Sequence, residues 1–136
     1  MMEDCIFCKI AKGEIPSGKV YEDEKVFAFM DIAPISKGHV LVIPKEHHKD
    51  LLDMPNDLLA ELAKTTKKIA KAVVKAAKAD GFNIGQNNGS VAGQAVFHFH
   101  LHIIPRFEGD GLKHWPKIDV PKEEMDKIAK DIKSLL

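Results

Sequence analysis

Three histidines alternate in one short stretch, His98-Phe99-His100-Leu101-His102-Ile103-Ile104-Pro105, and that alternation restricts the segment to an extended strand. In a β-strand, residues two apart point to the same face. His98, His100 and His102 therefore share a face, with neighbours ~7 Å apart at a rise of ~3.3 Å per residue. Phe97, Phe99, Leu101 and Ile103 take the opposite face and read as core. A face given to three imidazoles buries little apolar surface, which is easier to understand if those imidazoles do chemistry. One lone histidine is more often a solvent-facing or core residue. Three on one face, downstream of Gly93-Gln94, favour function.

The length of 136 residues is most simply one domain, residues 1–136. The 45% hydrophobic and 29% charged residues match an ordinary globule rather than a disordered chain. Formal net charge is zero, so no global field draws in nucleic acid or an anionic membrane, and neither is expected as a partner. No stretch is long and apolar enough to span a bilayer. The first residues lack a basic region followed by an apolar run, so no secretory signal is expected and the cytoplasm is the expected compartment. Cys5 and Cys8 form a Cys-x-x-Cys pair, which in a reducing compartment favours metal or redox chemistry over a structural disulfide.

Residues 5–12 read as a short helix ended by Gly13. Residues 19–22 and 26–31 read as a hairpin, and residues 39–45 as a third strand stopping at Pro44-Lys45. Leu58, Leu59, Leu62, Thr66, Ile69, Val73 and Ala76 recur at helical spacing, with lysines mostly elsewhere. Asn56 or Asp57 is the expected N-cap of that long helix and Gly81 its stop. Residues 82–87 and 96–104 read as two more strands, separated by the polar, glycine-rich loop 87–94. A second helix is predicted from about Lys122 to Ser134, with Met125, Ile128, Ile132 and Leu135 facing inward. Several antiparallel strands with segregated helices make the fold class α+β.

His98-x-His100-x-His102 followed by two apolar residues, with Gly93-Gln94 just upstream, resembles the histidine-triad (HIT) family of nucleotide-binding hydrolases and transferases. Lys19–Glu24, Phe27–Ile32 and Gly38–Lys45 are similar to the family's N-terminal half, so the likeness covers roughly residues 5–116, leaving 117–136 as a C-terminal helical extension. It implies an antiparallel sheet of about five strands with one long and one C-terminal helix, completed by homodimerisation. It also implies a reaction: release of a purine nucleoside monophosphate, AMP or GMP, from a small leaving group such as an amine, through a covalent nucleotidyl-histidine. His100 matches the nucleophile, and His102 and His39 match the other phosphate-contacting histidines. Imidazole suits the attack because its neutral form is abundant at neutral pH, and it attacks through the nitrogen that lacks a proton.

Asp31 matches the ribose-binding carboxylate, and Phe29, Ile32, Ile15 and Phe7 match positions flanking the base, although Phe and Ile in strands are usually core. Gln94 and the backbone N–H groups of the loop, which includes Gly93, are candidates for holding the phosphate, and Asn87 resembles the family's phosphate or ribose contact; Ala95 stands where relatives often carry Ser or Thr, so protonation of the leaving group must rest on His102, water or the Gln94 amide. Trp115, in His114-Trp115-Pro116, matches a C-terminal segment that in Hint-type relatives reaches the partner's site. Cys5 and Cys8, with His47 and His98, match the ligands of a zinc-binding branch, with His48 an alternative to His47. Ile104-Pro105-Arg106 and Glu108-Gly109-Asp110-Gly111 look closer to Fhit-like hydrolases of dinucleoside polyphosphates. A nucleotide-binding protein with slow turnover is a further reading.

Overall fold

The structure is a computed structural model and describes residues 4–136. One five-stranded antiparallel sheet is built from β1 (Lys19–Glu22), β2 (Val26–Met30), β3 (Val40–Pro44), β4 (Gly81–Gly85) and β5 (Leu101–Arg106), in the order β1-β2-β3-β5-β4. Alternation in β2 and β3 divides the core between the two faces of this sheet. Val26, Ala28, Val40 and Val42 point to one side, where Leu62, Ile69 and Ala70 of α2 (Asn56–Ala77) cover them together with Phe99 and Ile103. Phe27, Phe29, Leu41 and Ile43 point to the other side, under Phe7, Cys8 and Ile10 of α1 (Ile6–Ala11). A six-residue helix is too short to persist alone. α1 is held by what it covers and by its two cysteines.

The triad segment differs from the expectation of a strand over 96–104. The ladder begins only at Leu101, so His98 and His100 precede it and His102 alone lies within it. The cause is the partner strand. Val42 faces Leu101, and two residues on, the place opposite Phe99 falls to Pro44, which has no N–H to donate. The Phe99 N–H turns instead to the His48 carbonyl at 2.7 Å. Facing survives in part: Phe99 and Ile103 are buried on the α2 side, whereas Phe97 is 44% exposed, beneath the Lys49 ammonium, and is not core.

Three further details depart from expectation. Pro55, not Asn56 or Asp57, caps α2, and no side chain bonds its first turn. α2 stops at Lys78 in a left-handed conformation (φ 55°), with its N–H on the carbonyls of Lys75 and Val74, and Gly81 opens β4 instead. The last helix, α3 (Lys122–Leu135), forms where predicted, but Met125, Ile128, Ile132 and Leu135 are all at least half exposed rather than inward. α3 has no body of its own chain beneath it. No helix among the described residues is long and apolar enough to cross a membrane.

Candidate functional site

His100 is buried, and its ring edge meets Phe7 at a centroid distance of 5.1 Å. Its Nδ1 lies 2.7 Å from the His98 carbonyl oxygen. A carbonyl only accepts, so Nδ1 carries the proton and Nε2 presents a bare lone pair. That Nε2 bonds no protein group, yet solvent reaches it: among the described residues only Ser36 Oγ is both fully buried and unpartnered. Burial pushes the ring's pKa below the ordinary 6.5, with the His98 carbonyl and the Asp31 charge opposing, so His100 is neutral at pH 7. These are the attributes of a nucleophilic imidazole.

Beside it, His102 stacks edge-on at 5.0 Å between centroids. Its Nδ1 lies 2.8 Å from His39 Nε2. His39 Nδ1 in turn accepts the Ile35 N–H at 3.2 Å, so the His39 proton sits on Nε2 and is donated to His102 Nδ1. His102 then carries its own proton on Nε2, free of any protein acceptor. Burial, with His100 and His39 nearby, pushes the His102 pKa down to about 4. His39 is almost wholly buried and both of its nitrogens are engaged within the protein. His102, in contrast, keeps an Nε2 N–H without a partner among the described residues. Asp31 follows β2, and its N–H bonds the His39 carbonyl across to β3. One carboxylate oxygen accepts the Ala33 N–H at 2.9 Å and the other lies 3.5 Å from His39 Nε2.

A cleft of about 480 Å³ opens beside this row, lined among others by His39, Ile35, Gly85, Asn87, His102 and Trp115. Asn87 donates to the Gly93 carbonyl at 3.3 Å. Gly93 has φ 95°, and a Cβ there would meet the Asn87 amide at 3.2 Å, so the turn needs glycine. Gln94 is not available to phosphate or to a leaving group. Its side chain is buried, donating to the carbonyls of Lys49 (2.7 Å) and Val96 (3.2 Å) and accepting the Gly89 N–H (2.8 Å). It is the peg that fixes the loop. Ala95 is exposed beside it.

Behind the triad, His98 is fully buried and donates from Nε2 to the Pro44 carbonyl at 2.8 Å. Its bare Nδ1 lies 3.3 Å from Cys5 Sγ, 3.5 Å from Cys8 Sγ and 3.2 Å from His47 Nδ1, while Cys8 Sγ lies 3.3 Å from His47 Nδ1. A tetrahedral zinc ion with two sulfur and two nitrogen ligands has N···N edges of about 3.3 Å and N···S edges of about 3.5 Å. The donor set and the spacing fit a metal ion, and the four ligand atoms lie within 4.8 Å of one another. Burial pushes the Cys8 thiol up to about 11 and the His98 ring down to about 4. His48 turns away, its ring nitrogens facing the carboxylates of Glu46 and Asp53.

The HIT domain model matches residues 12–109. The chain belongs to the HIT domain family. It is 51% identical over 131 residues to an uncharacterised HIT-like protein of Methanocaldococcus jannaschii, covering 95% of this chain and 98% of that one. It is 43% identical over 132 residues to the adenosine 5′-monophosphoramidase of Schizosaccharomyces pombe, covering 96% of each. Among solved structures it superposes on a protein of Streptococcus mutans with a TM-score of 0.92 at 49% identity, covering 98% of this chain and 86% of that one. A zinc-bound histidine triad protein of Mycobacterium smegmatis matches with a TM-score of 0.78 at 38% identity over the full length of both chains.

Within this HIT domain the remaining expected nucleoside contacts scatter. Phe29 and Phe7 are buried and packed on each other at 5.5 Å, so neither stands as the open wall of a pocket. Ile15 is half-buried against the same cluster. Ile32 is 94% exposed and Trp115 89% exposed, so neither is enclosed by its own chain. Three groups essential to the site had no side-chain signal in the sequence: the carbonyls of His98 and Pro44 and the N–H of Ile35.

Proposed function

We propose that this HIT-family hydrolase cleaves a purine nucleoside monophosphate from a small amine leaving group through a nucleotidyl intermediate on His100. The hydrogen bond from His100 Nδ1 to the His98 carbonyl carries this reading, because it leaves Nε2 bare and in-line attack on phosphorus needs that lone pair. His102 Nε2–H, fixed by His39, is placed to donate to the phosphate or the departing nitrogen. That donor replaces the hydroxyl that Ala95 lacks. Asp31 accepts ribose hydroxyls, the base rests over the buried Phe7–Phe29 pair beside Ile15 and the exposed Ile32, and Asn87 with backbone N–H groups of loop 87–94 holds the phosphate. The similarity to a named adenosine 5′-monophosphoramidase supports the substrate class.

Zinc is the ion we assign to Cys5, Cys8, His47 and His98, on their donor chemistry and on the zinc-bound relative. It supplies no reacting group. Its four ligands tie α1 and residue 47 to the segment that carries His100. The exposed Trp115 and α3 stripe suit a homodimer, with residues 1–136 acting as one domain and the cytoplasm as the compartment. The dinucleoside polyphosphate alternative gains no support from Arg106. Four of its five N–H donors are engaged with Asp110, Asn83 and the Leu112 carbonyl, which leaves a single Nη1 donor for a second phosphate chain. Steady-state competition between adenosine 5′-phosphoramidate and a diadenosine polyphosphate tests the assignment. Preference for the phosphoramidate is expected, and preference for the polyphosphate overturns it.

A further inference from the structure

Asp31, His39 and His102 form a row across three neighbouring strands, and the row makes the ribose site and the proton donor parts of one unit. The ladder sets it up: the Asp31 N–H bonds the His39 carbonyl, and Leu41, two residues beyond His39, faces His102. The carboxylate is fixed in rotation because one oxygen accepts the Ala33 N–H. Its second oxygen lies 3.5 Å from His39 Nε2, and that same nitrogen lies 2.8 Å from His102 Nδ1. These three groups are close enough to suggest a metal site. The 2.8 Å separation of the two ring nitrogens decides against it, being a hydrogen-bond length and shorter than the edge of about 3.3 Å between two nitrogens on one tetrahedral ion.

We propose that Asp31 couples ribose recognition to proton delivery: its carboxylate is the counter-charge for a proton shared by His39 and His102, and ribose hydroxyls donated to it loosen that proton for transfer. The inference rests on the nucleotide reading above and assigns Asp31 a positioning role beyond affinity. As the anionic substrate arrives, the His39–His102 pair takes one proton from water on His39 Nδ1, which gives up its 3.2 Å contact with the Ile35 N–H, so that His102 can later take the His39 Nε2 proton on its own Nδ1. His100 Nε2 then bonds to phosphorus while the phosphorus–nitrogen bond breaks, and the proton passes from His102 Nε2 to the leaving amine. In the second half, water attacks phosphorus, the bond to His100 breaks, and the water's proton returns to the pair.

A carboxylate that accepts two hydroxyl protons presents less negative charge to His39 than a bare one. A nucleotide lacking the 2′-hydroxyl therefore leaves the proton more tightly held, so the rate of bond cleavage falls as well as the affinity. A simple ribose clamp would change KM alone.

The test compares adenosine 5′-phosphoramidate with its 2′-deoxy analogue on the wild type and on Asp31→Asn. The wild type is expected to lose about tenfold in kcat with the deoxy substrate, whereas Asp31→Asn, which carries no counter-charge for a hydroxyl to relieve, is expected to turn over both substrates with the same kcat. An effect confined to KM in both comparisons overturns the coupling. A second readout does not need turnover: the 15N resonances of the His102 ring in complexes with AMP and with 2′-deoxy-AMP. They should differ in the wild type and coincide in Asp31→Asn; identical wild-type spectra overturn the coupling. Absence of any turnover by the wild type instead refutes the phosphoramidase reading, and the spectra still decide this one.

Discussion

Stripping the metal from the Cys5–Cys8–His47–His98 cluster should release α1 from the sheet. The four ligand atoms lie within 4.8 Å of one another, so the ion assigned to them is what ties Cys5 and Cys8 to His47 and His98. α1 is six residues long and owes its place to Phe7, Cys8 and Ile10, each under 9% exposed. Exposing Phe7 and Ile10 costs about 1.5–3 kcal/mol each, or about 3–6 kcal/mol together. At an unfolding entropy of about 2.1 cal/mol/K per residue, a chain of this size changes stability by about 0.3 kcal/mol per degree near its midpoint. The melting temperature should therefore fall by about 10–20 °C. Calorimetry on chelated and zinc-restored protein measures this, and hydrogen exchange should show lost protection confined first to residues 5–12. The His98 carbonyl also holds His100 Nδ1, so kcat should fall more than KM rises. A metal-free protein, verified by elemental analysis, that melts and exchanges like the zinc form would refute the reasoning.

Other consequences are open to direct measurement. His102 titrates at about 4 in the fold against 6.5 for the free ring, so the unfolded chain binds protons first as pH falls. Stability contributed by this ring is complete above pH 6.5 and is lost between 6.5 and about 4, a loss of about 1–3 kcal/mol for the one group that chemical denaturation across that window should register. His100 is depressed in the same direction, so kcat/KM should hold its plateau below pH 6.5; an inflection at the free-imidazole value would contradict its assigned environment. Gln94→Leu removes three buried hydrogen bonds and leaves the Lys49 and Val96 carbonyls and the Gly89 N–H unpaired, so urea denaturation should reveal a loss of about 2–4 kcal/mol. Deleting residues 117–136 removes the exposed stripe of α3, and sedimentation should find the truncated chain folded but less associated.

Much of this arrangement was legible in the chain, for identifiable reasons. The continuous apolar runs of β2 and β3 made both legible as strands, because each is buried on both sides. Helical spacing from Leu58 to Val73 gave α2. The ends of elements were harder, since Pro55 and Lys78 cap α2 with backbone geometry rather than a recognisable side chain. The start of the triad strand escaped because it depends on Pro44, distant in sequence, lacking an N–H opposite Phe99. Gln94 shows the same limit: the sequence placed it beside the phosphate, but its amide is directed by the carbonyl of Lys49, 45 residues away. His39 was legible as a partner of the triad, yet its burial behind His102 follows only from strand register. The α3 stripe read as inward because apolar residues usually are; here its own chain gives it nothing to cover.

The covalent role of His100 is tested most directly by rapid quenching of the enzyme during turnover of adenosine 5′-phosphoramidate, followed by mass spectrometry of the peptide spanning residues 97–106. The account predicts an adenylyl group on His100, absent from His98 and His102, with AMP binding retained and turnover abolished in His100→Ala. Full activity of His100→Ala, or an adduct found on another residue, would contradict it.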